Sequence, residues 1–202
     1  MRIVTRTGRC CLGVLFAVLP CSPVAVADVV RSSDGGTGLA KWSFTAGDVE
    51  IELIQRLPDQ TRGFFQARNF PTAVAEEIAK NCIFQTIIRN KGTSGARSLV
   101  AVDLTTWRIR HDGMAQGLKL KEPWLDSWSE AGVAQAARLA FQWAMFPTRQ
   151  EFMPGDYNWG MTAYGLSPGS VFDLLVVWQH HGVTDSGWIR GIECAPDVEK
   201  LK

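Results

Sequence analysis

The sequence predicts a mainly β protein, an immunoglobulin-like β-sandwich with one or two short inserted helices, in a chain of 202 residues. Three observations point there. Apolar residues recur with a period of two in short runs, turn residues punctuate those runs, and an even pair of cysteines remains beyond residue 27.

The first 27 residues read as a cleaved signal peptide. Arg2, Arg6 and Arg9 precede the apolar stretch Cys10–Leu19, and Ala25-Val26-Ala27 offers the small residues of a cleavage site before Asp28. The apolar run is too short for a membrane-spanning helix. Cys21 would suggest a lipid anchor, but Pro20 stands where a small residue is expected. The expectation is a periplasmic or secreted protein with no stable membrane span after cleavage. Residues 28–39, with Ser32-Ser33-Asp34-Gly35-Gly36-Thr37-Gly38, read as a flexible lead-in, 40–196 as one sandwich domain and 197–202 as a tail.

Two strands come next. Trp42 and Phe44 alternate with Lys41, Ser43 and Thr45. After a turn at Ala46-Gly47-Asp48, Val49, Ile51 and Leu53 alternate with Glu50 and Glu52. Pro71–Lys80 breaks this rhythm: proline in the first turn, early acids and a late lysine suit a short helix with Val74, Ala75 and Ile78 on one face. Ile83–Arg89 and Leu99–His111 are extended and read as a hairpin across the Asn90–Gly95 loop. Pro123–Ala131 holds a helical turn with Trp124 and Trp128 stacked at a spacing of four.

Gln135–Phe146 fits either state. Its alanines suit a helix, but the apolar odd positions Ala137, Leu139, Phe141, Trp143 and Met145 favour a strand. Turn signals at Pro154-Gly155-Asp156 and Ser167-Pro168-Gly169-Ser170 then frame strands at Asn158–Tyr164, Val171–Gln179 and Trp188–Cys194.

Charge narrows the function. The chain has 21 Lys+Arg and 20 Asp+Glu; three arginines belong to the leader, so the remaining 175 residues balance at −2. That is no footprint for nucleic acid or acidic lipid. Cys82 and Cys194 are expected to pair as a disulfide in an oxidising compartment; the rival reading, two thiolates on a metal, lacks the usual close spacing. No nucleophile elbow, Walker loop, dinucleotide fingerprint or His-Glu-x-x-His occurs, so an enzyme ranks third among the readings.

The aromatic content carries the leading reading. All eight tryptophans lie beyond the leader, and two recur in one pattern, Trp143-Ala144-Met145 and Trp159-Gly160-Met161. Were both segments neighbouring strands, their thioethers would converge. Thioether and imidazole ligands suit copper, which nominates Met145, Met161, Met153, His111 and His180 as ligands, with Trp143 and Trp159 as shields. The bland alternative is core packing of methionine against tryptophan. A metal-free alternative is an interaction module assisting an envelope-protein partner through the aromatic loop that holds Phe152 and Tyr157.

Overall fold

The computed structural model describes residues 27–93, 99–180 and 182–197. In chain order its elements begin with strands β1 (Asp28–Ser33), β2 (Ala40–Ala46) and β3 (Val49–Gln55), then helices α1 (Pro58–Gln66) and α2 (Thr72–Ala79). Strands β4 (Ile83–Asn90) and β5 (Val100–Asp103) follow, with a 3-10 turn at Leu104–Thr106, then β6 (Arg108–His111) and β7 (Met114–Gln116). Helices α3 (Lys121–Glu130) and α4 (Gln135–Ala144) lead to β8 (Arg149–Phe152), β9 (Tyr157–Ala163), β10 (Val171–His180) and β11 (Val183–Glu193).

The strands form two antiparallel sheets, so the protein is mainly β. One is ordered β1-β2-β3-β4-β9; the other runs β7-β6-β10-β5-β8, with β11 on β10. Alternation along β2 and β3 turns Trp42, Phe44, Ile51 and Leu53 toward the second sheet, where Phe44 meets Trp178 at 5.5 Å and Phe84 meets Phe172 at 6.2 Å between ring centres. Where the 3-10 turn separates β5 from β6, the buried Trp107 indole donates to the Val177 carbonyl at 2.9 Å. A side chain thus satisfies a backbone acceptor that a continuous strand would have served.

A helical layer covers part of the outer face of the first sheet. Phe65, Phe70, Trp128 and Phe141 pack there with Ile83, Met161 and Ala163. Trp124 and Trp128 stack at 5.7 Å with planes 10° apart, as their spacing of four requires. Cys82 and Cys194 form the expected disulfide, with Cα atoms 5.3 Å apart, joining the start of β4 to the chain just beyond β11. Nearby, Arg62 bonds Asp59, Glu76 and Asp197 and so ties the end of the described chain to α1 and α2.

Four expectations are corrected. Residues 28–33 are not a flexible lead-in but an edge strand, paired in register with β2 from Asp28↔Thr45 to Ser33↔Ala40. Ile83–Arg89 and Leu99–His111 are not a hairpin: β4 pairs with β3 and β9, whereas β5 and β6 belong to the other sheet. Gln135–Phe146 is the helix α4 and not a strand, because Val133, Ala137, Phe141 and Met145, each four apart, are the residues that reach the core. Among the described residues the helices number four and not one or two. The proposed leader falls outside the described residues save for Ala27, and 198–202 of the proposed tail also lie outside them. Among the described residues, no helix is long and apolar enough to cross a membrane.

Candidate functional site

The outer face of β9 carries Tyr157, Trp159, Met161 and Ala163, because alternate residues share a face. Its neighbour β4 presents Gln85 opposite Met161, Ile87 opposite Trp159 and Arg89 opposite Tyr157. The helices seal the Met161 and Ala163 end and stop short of the rest. Beyond them Ile87 is half-buried and Trp159 is 60% exposed.

Helix α4 borders this open stretch. Its inner stripe is Ala137 and Phe141; its outer stripe is Ala136, Leu139 and Trp143, with Leu139 52% and Trp143 80% exposed. A helix with a second apolar stripe facing solvent departs from the usual polar outer face. Directly after α4, Met145 forms a parallel bridge with Met161, and the Phe146 amide donates to the Met161 carbonyl at 2.8 Å. The parallel direction places Trp143 and Trp159 at the same end of that junction. Leu139, Trp143 and Trp159 are thus exposed, and Ile87 half-buried, on the helix and strands that border the edge of the helical layer, and we refer to this apolar set as the step.

The step is bounded by charge. Glu52 accepts from Lys41 at 2.8 Å and from Arg89 at 2.9 Å. Burial pushes its carboxyl up, but those two hydrogen bonds together hold it below the usual range. Arg89 also lies 5.7 Å from the Tyr157 ring centre. No cation or carboxylate of this group is left facing the apolar step alone, which fits a surface meant for apolar contact rimmed by satisfied ions.

The five nominated copper ligands occupy separate places. Met145 and Met161 do converge, both buried in the helical core, and border one space of about 10 Å³. His111 sits beside the start of β10, its Nδ1 2.8 Å from the Val171 carbonyl oxygen. His180 closes the same strand nine residues later, roughly 30 Å away along it. Its Nε2 lies 3.5 Å from Asp48. Met153 is exposed and follows Phe152, which pairs with Val100, itself paired with His180. That register sets Met153 two strand spacings from His180, roughly 10 Å. One coordination sphere cannot include all five. Nor do the tryptophans shield the sulfurs: both methionines are buried in the helical core, whereas both indoles are exposed to solvent.

The aromatic loop also divides. Phe152 is fully buried and so cannot meet a partner, whereas Met153 and Tyr157 are exposed. Leu139 was not singled out from sequence; its spacing of four from Trp143, in a segment holding four alanines, is the signal that would have found it. Among the described residues, no group of three or more His, Cys, Asp or Glu is placed to hold a metal ion.

No model of a known protein family, no curated protein and no solved structure matches the chain.

Proposed function

We propose that the chain is an exported, non-catalytic accessory protein that holds an apolar segment of another envelope protein on the Leu139–Trp143–Trp159 step. The observation that carries this reading is the pair of exposed indoles, 80% for Trp143 and 60% for Trp159, flanking an uncovered sheet face. Exposed tryptophan is costly in water and is enriched where partners bury it. None of the three residues titrates, which favours binding over chemistry at this surface. The Cys82–Cys194 disulfide suits an oxidising compartment and so supports export and a periplasmic or secreted location.

The immunoglobulin-like assignment belongs to this proposal and rests on the disulfide that joins the two sheets. The meander β1-β2-β3-β4 is a different connectivity from a Greek key and counts against it.

The test is a photo-cross-linking amino acid placed at position 143 or 159 in cells exporting the protein, with Thr184 on the other sheet as control. One shared adduct from 143 and 159, absent from 184 and lost on Leu139→Ser, is expected. No adduct at either tryptophan position, or equal yield at 184, would overturn the reading.

Copper remains a second reading on a single observation, that Met145 and Met161 border the same small space. Two thioethers favour Cu(I), but Lys121 borders that space too and would repel a cation. Anaerobic Cu(I) titration against a chelator, with tryptophan emission followed, should show competition that Met145→Leu with Met161→Leu abolishes. No competition by the wild-type protein would remove copper from consideration.

A further inference from the structure

A second feature lies outside the tryptophan step and does not depend on its reading. Lys121, the first residue of α3, is half-buried. Its ammonium has three donors, yet its contact is a hydrogen bond of 3.4 Å to the Phe146 carbonyl. Among the described residues no carboxylate pairs with it. The adjacent Glu122 is exposed and accepts instead from the Thr148 hydroxyl. Burial lowers the Lys121 pKa, a trend the Glu122 charge opposes without reversing. A partly dry ammonium with unspent donors is unfavourable unless something supplies acceptors.

Lys121 opens onto a crevice of about 570 Å³ between the start of α3, the 3-10 turn and residues 147–149. Leu120, Pro123 and Pro147 give it apolar walls, and Arg149 stands among its lining. The Arg149 ion pair with Asp103, 2.8 Å long, engages Nε and leaves the terminal nitrogens of the fork uncommitted. The volume suits a small molecule. The Lys121 ammonium, which no carboxylate pairs among the described residues, asks for an anion; Arg149, its charge already met by Asp103, adds terminal N–H donors; apolar walls ask for a hydrocarbon body, and the Glu122 carboxylate at the rim disfavours a second negative charge on the ligand.

We infer that the crevice beside Lys121 is a binding site for small monocarboxylates with an apolar body, the carboxylate taken by the Lys121 ammonium with Arg149 as the second donor. The chemistry selects against phosphate, which has no hydrocarbon to lay on the prolines, and against neutral amphiphiles, which leave the ammonium unserved.

The experiment is an amide NMR titration of the mature protein with hexanoate and, separately, with hexanol. Hexanoate is expected to move the resonances of Leu120–Glu122 and Thr148–Arg149, saturably, and hexanol to bind roughly tenfold or more weakly, the worth of one charge-assisted hydrogen bond. Lys121→Met should weaken hexanoate by a similar factor and leave hexanol unchanged. Equal affinity for acid and alcohol would overturn the inference without any variant. So would shifts scattered over exposed cations such as Lys80 and Arg190, or no saturable shift at all.

Discussion

Trp143-Ala144-Met145 and Trp159-Gly160-Met161 are nearly one sequence in two backbones, and each buries its methionine while exposing its tryptophan. The routes differ. In α4, residues two apart are turned by roughly 200°, so Trp143 leaves on the outer stripe while the chain, running past the helix end, drops Met145 onto the sheet. In β9, Trp159 and Met161 share one face, and what separates them is cover: helices overlie Met161 and end before Trp159. The exposure of Trp143 is therefore fixed by the helix itself, whereas that of Trp159 depends on what lies over the sheet. A docking segment that prolonged the helical layer would bury Trp159 with no rearrangement of the fold.

Truncating the sulfurs breaks the comparison most severely. Met145→Ala and Met161→Ala should each cost about 2–5 kcal/mol in urea unfolding, the range for large-to-small changes in a core. Met161 belongs at the upper end, because its ladder with β4 holds the backbone and resists collapse into the cavity. Met145, one residue past the helix, can relax further. Since the two residues are bridged, the double variant should lose less than the sum. Strict additivity would show that the junction is not a shared packing unit.

The middle residues come next. A Cβ at Gly160 would stand 2.6 Å from the Phe146 nitrogen and 2.7 Å from its Cα, backbone atoms that cannot swing aside. Gly160→Ala should cost about 1–3 kcal/mol by overpacking, whereas the reciprocal Ala144→Gly should cost only about 1 kcal/mol of helix propensity. Equal losses at both positions, read from the same unfolding curves, would mean that the strand and the helix end are not in close contact there.

This contrast also explains what the sequence could and could not show. The strands β2 and β3, the stacked Trp124 and Trp128 and the disulfide were legible because each rests on local spacing or on the even cysteine pair. Gln135–Phe146 suggests a strand for a specific reason: apolar residues at 137, 139, 141, 143 and 145 have a period of two, but every second one of them also makes a period of four. The fold buries the period-four subset and exposes Leu139 and Trp143. A run in which both periods fit is decided by the partner surface, and that surface is set by strands far along the chain. The same limit hid the site. His111 and His180 look equally placed at strand ends, and only the register of β10 shows that those ends are opposite. Lys121 gives no local sign of burial, since the crevice around it comes from three separate segments.

The tryptophans themselves should matter little to folding. Trp143→Ser and Trp159→Ser are each expected to change unfolding stability by no more than about 0.5 kcal/mol, as for exposed positions in general, while the double variant with a cross-linker at Ile87 loses the partner adduct. A large loss of stability from Trp159→Ser alone would show that the bare sheet is covered from within the chain, and would remove the reason to seek a partner there.

The smallest effect separates the polar lid of the methionine junction from its packing. Lys121 borders the space between Met145 and Met161, and burial holds its pKa below the ordinary lysine value of 10.5. The folded state then binds fewer protons than the unfolded one between the depressed value and 10.5, so this residue's contribution to stability rises with pH across that window. Below the window the charged ammonium is a burden on folding. Lys121→Met keeps the stem and removes the charge, so its melting temperature should lie slightly above wild type at neutral pH, with the advantage shrinking as pH rises through the window and gone above 10.5, where lysine is neutral in both states. Melting curves of the two proteins across that pH range provide the measurement. A constant difference at every pH would place the gain in packing against the thioethers, and a variant less stable at neutral pH would mean that the bond to the Phe146 carbonyl outweighs the desolvation of the ammonium.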